Sequence, residues 1–403
     1  MGYRTSIFLR NAVIYFVLIA FALVMLFPFV IIITTSLKVP SDTFRYPPRL
    51  LPYEQLTATV PGKDEPVPLY KVRTEDGRQV EWALVEENIR VGQFAPLTAV
   101  GDPSALVARR FGEVKVVQGK TFNVNGEDRP VYTVEVNGAP VEMVVITRTA
   151  LGRFVNPVNP EEFVLANVRL SEPADKLTAR PENYTDVINL LGFDRALTNT
   201  AMITLLTVAG QIITSILGGY AFARLNFPGR NALFVVYLGT IMIPFTVLII
   251  PLYQLMVLIG WVNKMPALII PWLYTAYGTF LMRQFFITIP KEIEEAALID
   301  GASRWEILRR IFIPASVPAI ATLATFTFLY AWNSFFWPLV IVNTGNSQNQ
   351  VLTLALNVLR GRASDSQNLI LAGAAIAVIP PTIVFILAQR YYVESVTSSG
   401  VKG

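Results

Sequence analysis

Six stretches of the chain are almost wholly apolar and contain no Asp, Glu, Lys or Arg: residues 12–36, 200–223, 232–260, 266–282, 311–342 and 369–389. A helix needs roughly 20 such residues to cross about 30 Å of hydrocarbon. The third and fifth stretches are longer than one span requires, which predicts a tilt or a break at Pro244, Pro251 or Pro314. Between the first stretch and the second the pattern changes. Residues 41–180 carry short alternating or apolar runs, among them 114–117, 131–136 and 141–147, which read as strands. The pairs Asp76-Gly77, Asn125-Gly126 and Asn137-Gly138 between such runs are hairpin signals. Pro47-Pro48 and the 157–160 segment are read as the edges of this region. The expected fold is an α-helical polytopic membrane protein with six transmembrane helices and a mainly β insert.

Composition sharpens this division. The chain is 53% hydrophobic and 15% charged, with mean hydropathy +0.48, too apolar for an ordinary soluble domain. Residues 38–195 nevertheless hold 19 of its 33 Lys/Arg and 22 of its 29 Asp/Glu. The expected organisation is therefore 1–37, the N-terminus and first span; 38–195, the insert; 196–390, the membrane core; and 391–403, a tail. There is no cysteine and no histidine. Thiolate or imidazole metal sites and Ser-His-Asp catalysis are excluded. The net charge of +4 does not point to nucleic acid, because the excess cations flank apolar runs.

Those cations set an expected orientation. With the N-terminus inside, Arg4, Arg10, Arg224, Arg230, Arg283, Lys291, Arg304, Arg309, Arg310, Arg390 and Lys402 fall on the inner side. Only Lys264, Arg360 and Arg362 fall in short outer loops. Both termini are expected in the cytoplasm and the insert outside. The first stretch is expected to be retained rather than cleaved as a signal peptide, since no small-residue cleavage pattern precedes Lys38. Within the insert, Gly119-Lys120-Thr121 resembles the end of a phosphate-binding loop, but the glycine required five positions earlier is Val114. It is read as a turn before a strand.

The loop between the fourth and fifth stretches, residues 288–314, predicts a helix, a turn and a second helix. Thr288 is placed to cap the first helix, with Pro290 in its first turn and Glu292, Glu294 and Glu295 near its positive end. Asp300-Gly301 breaks it, and Ser303 with Glu306 forms a capping box for the next helix. Small residues at Ala296, Ala297 and Gly301 beside carboxylates suit a knob that enters a cleft of a partner protein. An amphipathic helix lying on lipid would instead favour basic and aromatic residues.

Glu295-Ala296-Ala297, then Gly301, Ile311 and Ile313-Pro314, resembles the EAA signature of ABC-importer permeases, with Ile313 where leucine is usual. Pro181-Glu182-Asn183-Tyr184, Asn199-Thr200, the 221–224 segment with Pro228-Gly229, Trp332-Asn333 and the tail from Gly400 to Gly403 are similar to carbohydrate-importer permeases of the maltose type, smaller subunit. The similarity covers the first span and the chain beyond about Arg180, not the insert. It implies six spans of the ABC importer type in a bacterial cytoplasmic membrane. It further implies a second permease subunit, two ATPase subunits carrying ATP and Mg, and an extracytoplasmic sugar-binding protein as partners. No cofactor and no catalytic residue is expected on this chain. Glu294, Glu295, Ala296, Ala297, Asp300 and Gly301 are the implied ATPase-coupling residues, with Glu295 in contact and Gly301 setting the bend. For the sugar path, the polar and aromatic residues Gln211, Tyr274, Tyr277, Tyr330, Trp332, Asn333 and Ser334 are candidates. Their alternative roles are helix association and interfacial anchoring. Two rival functions stand beside the importer: a secondary transporter, which spans without ionisable groups disfavour, and a membrane-anchored sensor or enzyme using the β insert.

Overall fold

A computed structural model of the chain describes residues 3–74, 77–102, 105–136, 138–190, 192–342, 347–362 and 366–399. Asp76, Asn137, Lys402 and the 400–403 tail lie outside the described residues. The chain divides into two compact units, a helical one formed by Met1–Pro52 with Ala179–Gly403 and a β unit, Tyr53–Thr178. The β unit is thus narrower than the 38–195 expected, because the flanks on both sides pack with the helices. Pro47-Pro48 lies in the helical unit, and the 157–160 segment is a turn inside the β unit, between strands, rather than an edge of it.

In the helical unit, α1 (Tyr3–Ser36) leads to the single turn α2 (Pro40–Thr43). After the β unit come α3 (Glu182–Asn189), α4 (Phe193–Arg224), α5 (Arg230–Gly239) and α6 (Phe245–Leu258). Then follow α7 (Met265–Ile269), α8 (Ala276–Thr288), α9 (Lys291–Ile299) and α10 (Arg304–Ile307). The last are α11 (Ile313–Ala315), α12 (Val317–Trp332), α13 (Phe336–Ile341), α14 (Leu352–Arg362) and α15 (Gln367–Ser399).

Among the described residues, four helical segments are long and apolar enough to cross a membrane: Ile7–Ser36, Phe193–Arg224, Met265–Thr288 and Gln367–Tyr391. The other two expected spans are bent pairs. α5 and α6 meet at 97°, and Arg304–Ala315 meets α12 at 77°. The first bend falls at Pro244, whose φ −60°, ψ 131° is extended; a proline there removes a donor and ends the preceding helix. Pro251 lies inside α6 without breaking it. The second bend falls at Ser316, two residues past Pro314, where φ −102°, ψ 12° leaves the helical region. The Ser316 hydroxyl donates to the Phe312 carbonyl at 2.7 Å and so satisfies one group that the bend frees.

Buried side-chain amides tie distant parts of this unit together. Asn183 donates to the carbonyls of Ser36 (2.8 Å) and Lys38 (2.9 Å) and accepts from Asn368 (3.1 Å), joining the end of α1 and the start of α15 through α3. Asn199 donates to the Gln348 and Gln350 carbonyls, both at 2.9 Å, and the Thr200 hydroxyl accepts the Leu352 N–H at 2.8 Å. The two motifs that resemble sugar permeases near 183 and 199 are therefore structural ties, holding main chain that has no helix of its own to bond to.

α4 and α8 pack at close range because glycines face the contact. A Cβ on Gly219 would lie 2.6 Å from the Met282 Cβ and 2.9 Å from the Arg283 nitrogen, and one on Gly278 would lie 2.3 Å from the Ser215 hydroxyl. Such small residues let helix backbones approach where lipid offers no hydrophobic drive for association.

The β unit comprises β1 (Tyr53–Gln55), β2 (Thr57–Ala58), β3 (Val67–Arg73), β4 (Gln79–Pro96), β5 (Val107–Arg110), β6 (Lys115–Val124), β7 (Glu127–Val136), β8 (Ala139–Val155), β9 (Phe163–Ala166), β10 (Glu172–Pro173) and β11 (Asp175–Leu177). One antiparallel sheet runs β10-β3-β4-β8-β7-β6, with β2 on β3, β5 on β4 and β9 on β8. The incoming β1 and outgoing β11 pair separately, Tyr53 opposite Leu177. The Asn125-Gly126 hairpin forms as expected, with φ 52° and 91° closing Val124 onto Glu127. Gly119-Lys120-Thr121 is not a turn before a strand. It lies within β6, at the irregularity between Val116 and Thr121, with Gly119 at φ 74° and Lys120 paired to Glu142.

Candidate functional site

The 288–314 loop folds as helix, turn and helix, with one change at its start. Thr288 does not cap α9: its hydroxyl donates back to the Phe285 carbonyl at 2.7 Å, and Pro290 occupies the N-cap with no side-chain bond. At the other end Gly301 takes φ +82° with open space around its Cβ position, so the turn demands glycine for its backbone rather than for room. Gly301 N–H bonds Leu298 O at 3.1 Å and Ala302 N–H bonds Ala297 O at 2.9 Å, the two bonds of a Schellman ending. Ser303 and Glu306 then form the expected capping box: the Glu306 N–H donates to Ser303 Oγ at 3.3 Å, and the Ser303 N–H to Glu306 Oε2 at 2.9 Å.

The six coupling candidates separate into two faces. Glu295, Ala296, Asp300 and Gly301 are exposed. Ala297 packs inward, against the cluster of Tyr220, Met282, Phe286, Ile307 and Phe312. Glu294 is buried and belongs to the interior, not to a docking surface. Its carboxylate lies 3.4 Å from the Arg224 guanidinium and also pairs with Arg304. Arg224, at the end of α4, donates to the Phe286 carbonyl at 2.6 Å and to that of Ile289, and its guanidinium sits 5.0 Å from the Phe312 ring centre. One side chain thus joins the end of α4, the Phe286 and Ile289 carbonyls at the end of α8, and α9. In the sequence Arg224 reads as a cation flanking an apolar run and as part of the 221–224 segment that resembles sugar permeases, with no sign of its partner. The pairing with Glu294, 70 residues away, leaves no local pattern. Sequence reasoning also missed the apolar part of the outward face, where Ile299 is 86% and Trp305 61% exposed.

The path candidates also separate. The Met265–Thr288 segment is interrupted: a 3₁₀ turn at Ile270–Trp272 ends before α8 begins. Gln211 of α4 donates to the Trp272 carbonyl at 2.9 Å, Thr214 donates to the Leu273 carbonyl at 2.8 Å, and Thr327 of α12 donates to Gln211 Oε1 at 2.8 Å. Neighbouring side chains thereby satisfy the backbone that the interruption frees, as an apolar solvent requires. Beside this interruption opens a cleft of about 370 Å³, lined by Gln211, Trp272, Tyr274, Thr275, Tyr277, Phe326, Thr327 and Tyr330. No lining residue is ionisable as an acid or base of the Asp, Glu, Lys or Arg type. Ser334 lines a smaller adjoining cavity that shares Trp272 and Tyr330. Trp332 and Asn333 line neither. Trp332 is buried, donates to the Ala377 carbonyl at 3.0 Å and stacks on Phe328, tying α12 to α15. Asn333 bonds back to the Leu329 carbonyl at 2.8 Å and closes α12.

Comparison with known proteins adds a family to this geometry. The family described as "Binding-protein-dependent transport system inner membrane component" matches residues 199–398. The arabinooligosaccharides transport system permease protein AraQ of Halalkalibacterium halodurans is 35% identical over 205 residues, 51% of this chain and 73% of the relative. The sn-glycerol-3-phosphate transport system permease protein UgpE of Rhizobium meliloti is 34% identical over 229 residues, 55% of this chain and 81% of the relative. Among solved structures, a bacterial ABC transporter involved in the import of the acidic polysaccharide alginate shares 24% identity, with a TM-score of 0.47, over 55% of this chain and 81% of that one. With the helix–turn–helix loop at Glu295 and Gly301 in place, these sequence relationships show that the chain belongs to the binding-protein-dependent transport system inner membrane components, the permeases of ABC importers.

Proposed function

We propose that this permease forms one half of a translocation path for a neutral sugar or oligosaccharide and is driven by ATPase subunits that grip the 288–314 loop. The observation that carries the cargo class is the 370 Å³ cleft. Tyrosine and tryptophan faces with amide and hydroxyl groups suit sugar rings, whereas a cleft without Lys or Arg offers a phosphate no counter-charge. AraQ and UgpE are named for different cargoes, and the uncharged lining favours the first kind. With the bent pairs counted as single spans, the chain crosses the bilayer six times. The cation distribution supports both termini in the cytoplasm and the β unit outside. A second permease, two ATPase subunits with their ATP and Mg, and an extracytoplasmic binding protein complete the assembly.

In this assembly the exposed face of α9, with Glu295, Ala296 and Ile299, enters the ATPase, and Arg224 transmits its displacement to α4 and α8. The work is a change between inward- and outward-facing states rather than covalent chemistry. Glu295→Arg is expected to abolish ATP-driven uptake in proteoliposomes while the chain still folds, since Glu295 is exposed. Unchanged uptake, or failure of the purified chain to retain any ATPase subunit, would refute the coupling role. For the cleft, Tyr274→Ala with Tyr277→Ala is expected to raise the uptake KM by about tenfold or more, from the loss of two ring contacts. Tyr274 is 63% and Tyr277 44% exposed, so the melting temperature should change little. An unaltered KM would remove the cleft from the path.

A further inference from the structure

The proposed path draws on residues of the helical unit alone, yet one part of the β unit's sheet carries a cleft of about 530 Å³, within the roughly 300–1,000 Å³ range of small-molecule sites. Its floor is apolar, formed by Val91 on β4, Leu151 on β8 and Leu165 on β9. Its polar lining is three arginines, Arg109, Arg110 and Arg153, against one carboxylate, Glu113. The register explains the layout. Arg110 stands opposite Val91, and Arg153 stands opposite Leu165. The strands run β5, β4, β8, β9 here, so Arg110 stands at one edge of the apolar floor, while Arg153 shares β8 with Leu151, between Val91 and Leu165.

This concentration runs against the charge of its surroundings, since residues 53–178 hold 14 Lys/Arg and 18 Asp/Glu. Three other cations of the unit have acid partners: Arg129 with Glu127 at 3.0 Å, Lys176 with Glu54 at 3.3 Å, and Lys120 with Glu142. Arg153 has none among the described residues. Its Nε is enclosed and makes no hydrogen bond, while its guanidinium is stacked 4.5 Å from the Phe163 ring centre, which fixes its plane. Arg110 reaches Glu113 only at 3.8 Å, beyond hydrogen-bond distance. Arg109 is held by the carbonyls of Ala108 and Glu135 and adds positive potential. A planar fork held in place beside an apolar floor matches a carboxylate attached to an apolar ring face.

We propose that this cleft is a binding site for a small carboxylate ligand of the sugar-acid type, its carboxylate held by Arg110 and Arg153 and its ring face on Val91, Leu151 and Leu165. The site is independent of the transport cleft.

Calorimetric titration of the full-length chain in lipid nanodiscs tests it, with glucuronate as probe, glucose as its neutral counterpart and inorganic phosphate as a competing oxyanion. Glucuronate should bind where glucose does not, and Arg153→Gln should weaken binding about tenfold or more. Arg153→Lys, which keeps the charge but loses the fork, should fall between the two. Arg169→Gln, an exposed cation of the same unit away from the cleft, should bind as the unaltered chain does. The proposal is overturned by absence of glucuronate binding, by equal binding of glucose, by phosphate displacing glucuronate at equal concentration, or by equal losses at Arg169 and Arg153.

Discussion

Arg224→Met is expected to destabilise the helical unit by about 3 kcal/mol and to abolish coupled uptake. Its side chain is 4% exposed and that of Glu294 is 9% exposed, so the substitution leaves a buried carboxylate without its deeper partner. Breaking a buried pair from one side costs roughly 3–5 kcal/mol. Arg304 still reaches Glu294 from its half-exposed position, which places the effect at the lower end. The Ile289 carbonyl loses its side-chain donor as well, and the Phe286 carbonyl is left with the Ile289 N–H alone. Adding Glu294→Met should recover part of the stability, because the uncompensated charge is then gone, yet uptake should stay low, because α9 is no longer tied to α4. Thermal unfolding in detergent and uptake in proteoliposomes give the two readouts. A double variant no more stable than the single one would show that Glu294 does not depend on Arg224.

Gly219→Val is expected to prevent close packing of α4 on α8 and to leave little folded permease in the membrane. The nearest obstacles to a side chain are the Met282 Cβ at 2.6 Å and the Arg283 nitrogen and Met282 carbonyl carbon at 2.9 and 3.1 Å. Main-chain atoms cannot swing aside as a side-chain end can, so the helices must separate. Overpacking of a tight contact costs about 1–3 kcal/mol or more. The displacement would also shift Gln211 away from the Trp272 carbonyl. Gly239→Val is the comparison, since no atom lies within 4 Å of its Cβ position. Equal accumulation of the two variants in membranes would count against a close α4–α8 contact.

What could be read from the chain and what could not follow from the range of the forces involved. Spans, hairpins and the Gly301 turn rest on local pattern. Asn125-Gly126 closes its hairpin and Ser303 bonds Glu306 because both need only neighbours in sequence. The bends at Pro244 and Ser316 were half legible: proline marks the neighbourhood, while the 97° and 77° angles depend on packing. Burial was the hidden quantity. Glu294 and Glu295 are adjacent acids of one helix, yet one faces Arg224 and the other faces solvent. Trp332 and Tyr330 are equally aromatic and two positions apart; one donates to Ala377, and the other lines the cleft. Nothing in hydropathy separates such pairs, because their fates are set by helices more than 40 residues distant.

The pairing of β1 with β11 has a consequence for how such a chain can arise. Neighbouring strands in an antiparallel ribbon run about 5 Å apart, and Tyr53 and Leu177 are opposed in this one. The whole of Tyr53–Thr178 therefore begins and ends at nearly one point. A segment with adjacent ends can be gained, lost or exchanged as a cassette, with no change in the distance between the residues it interrupts. Mutations inside it and mutations in the helices are then selected separately, so each can change at its own pace.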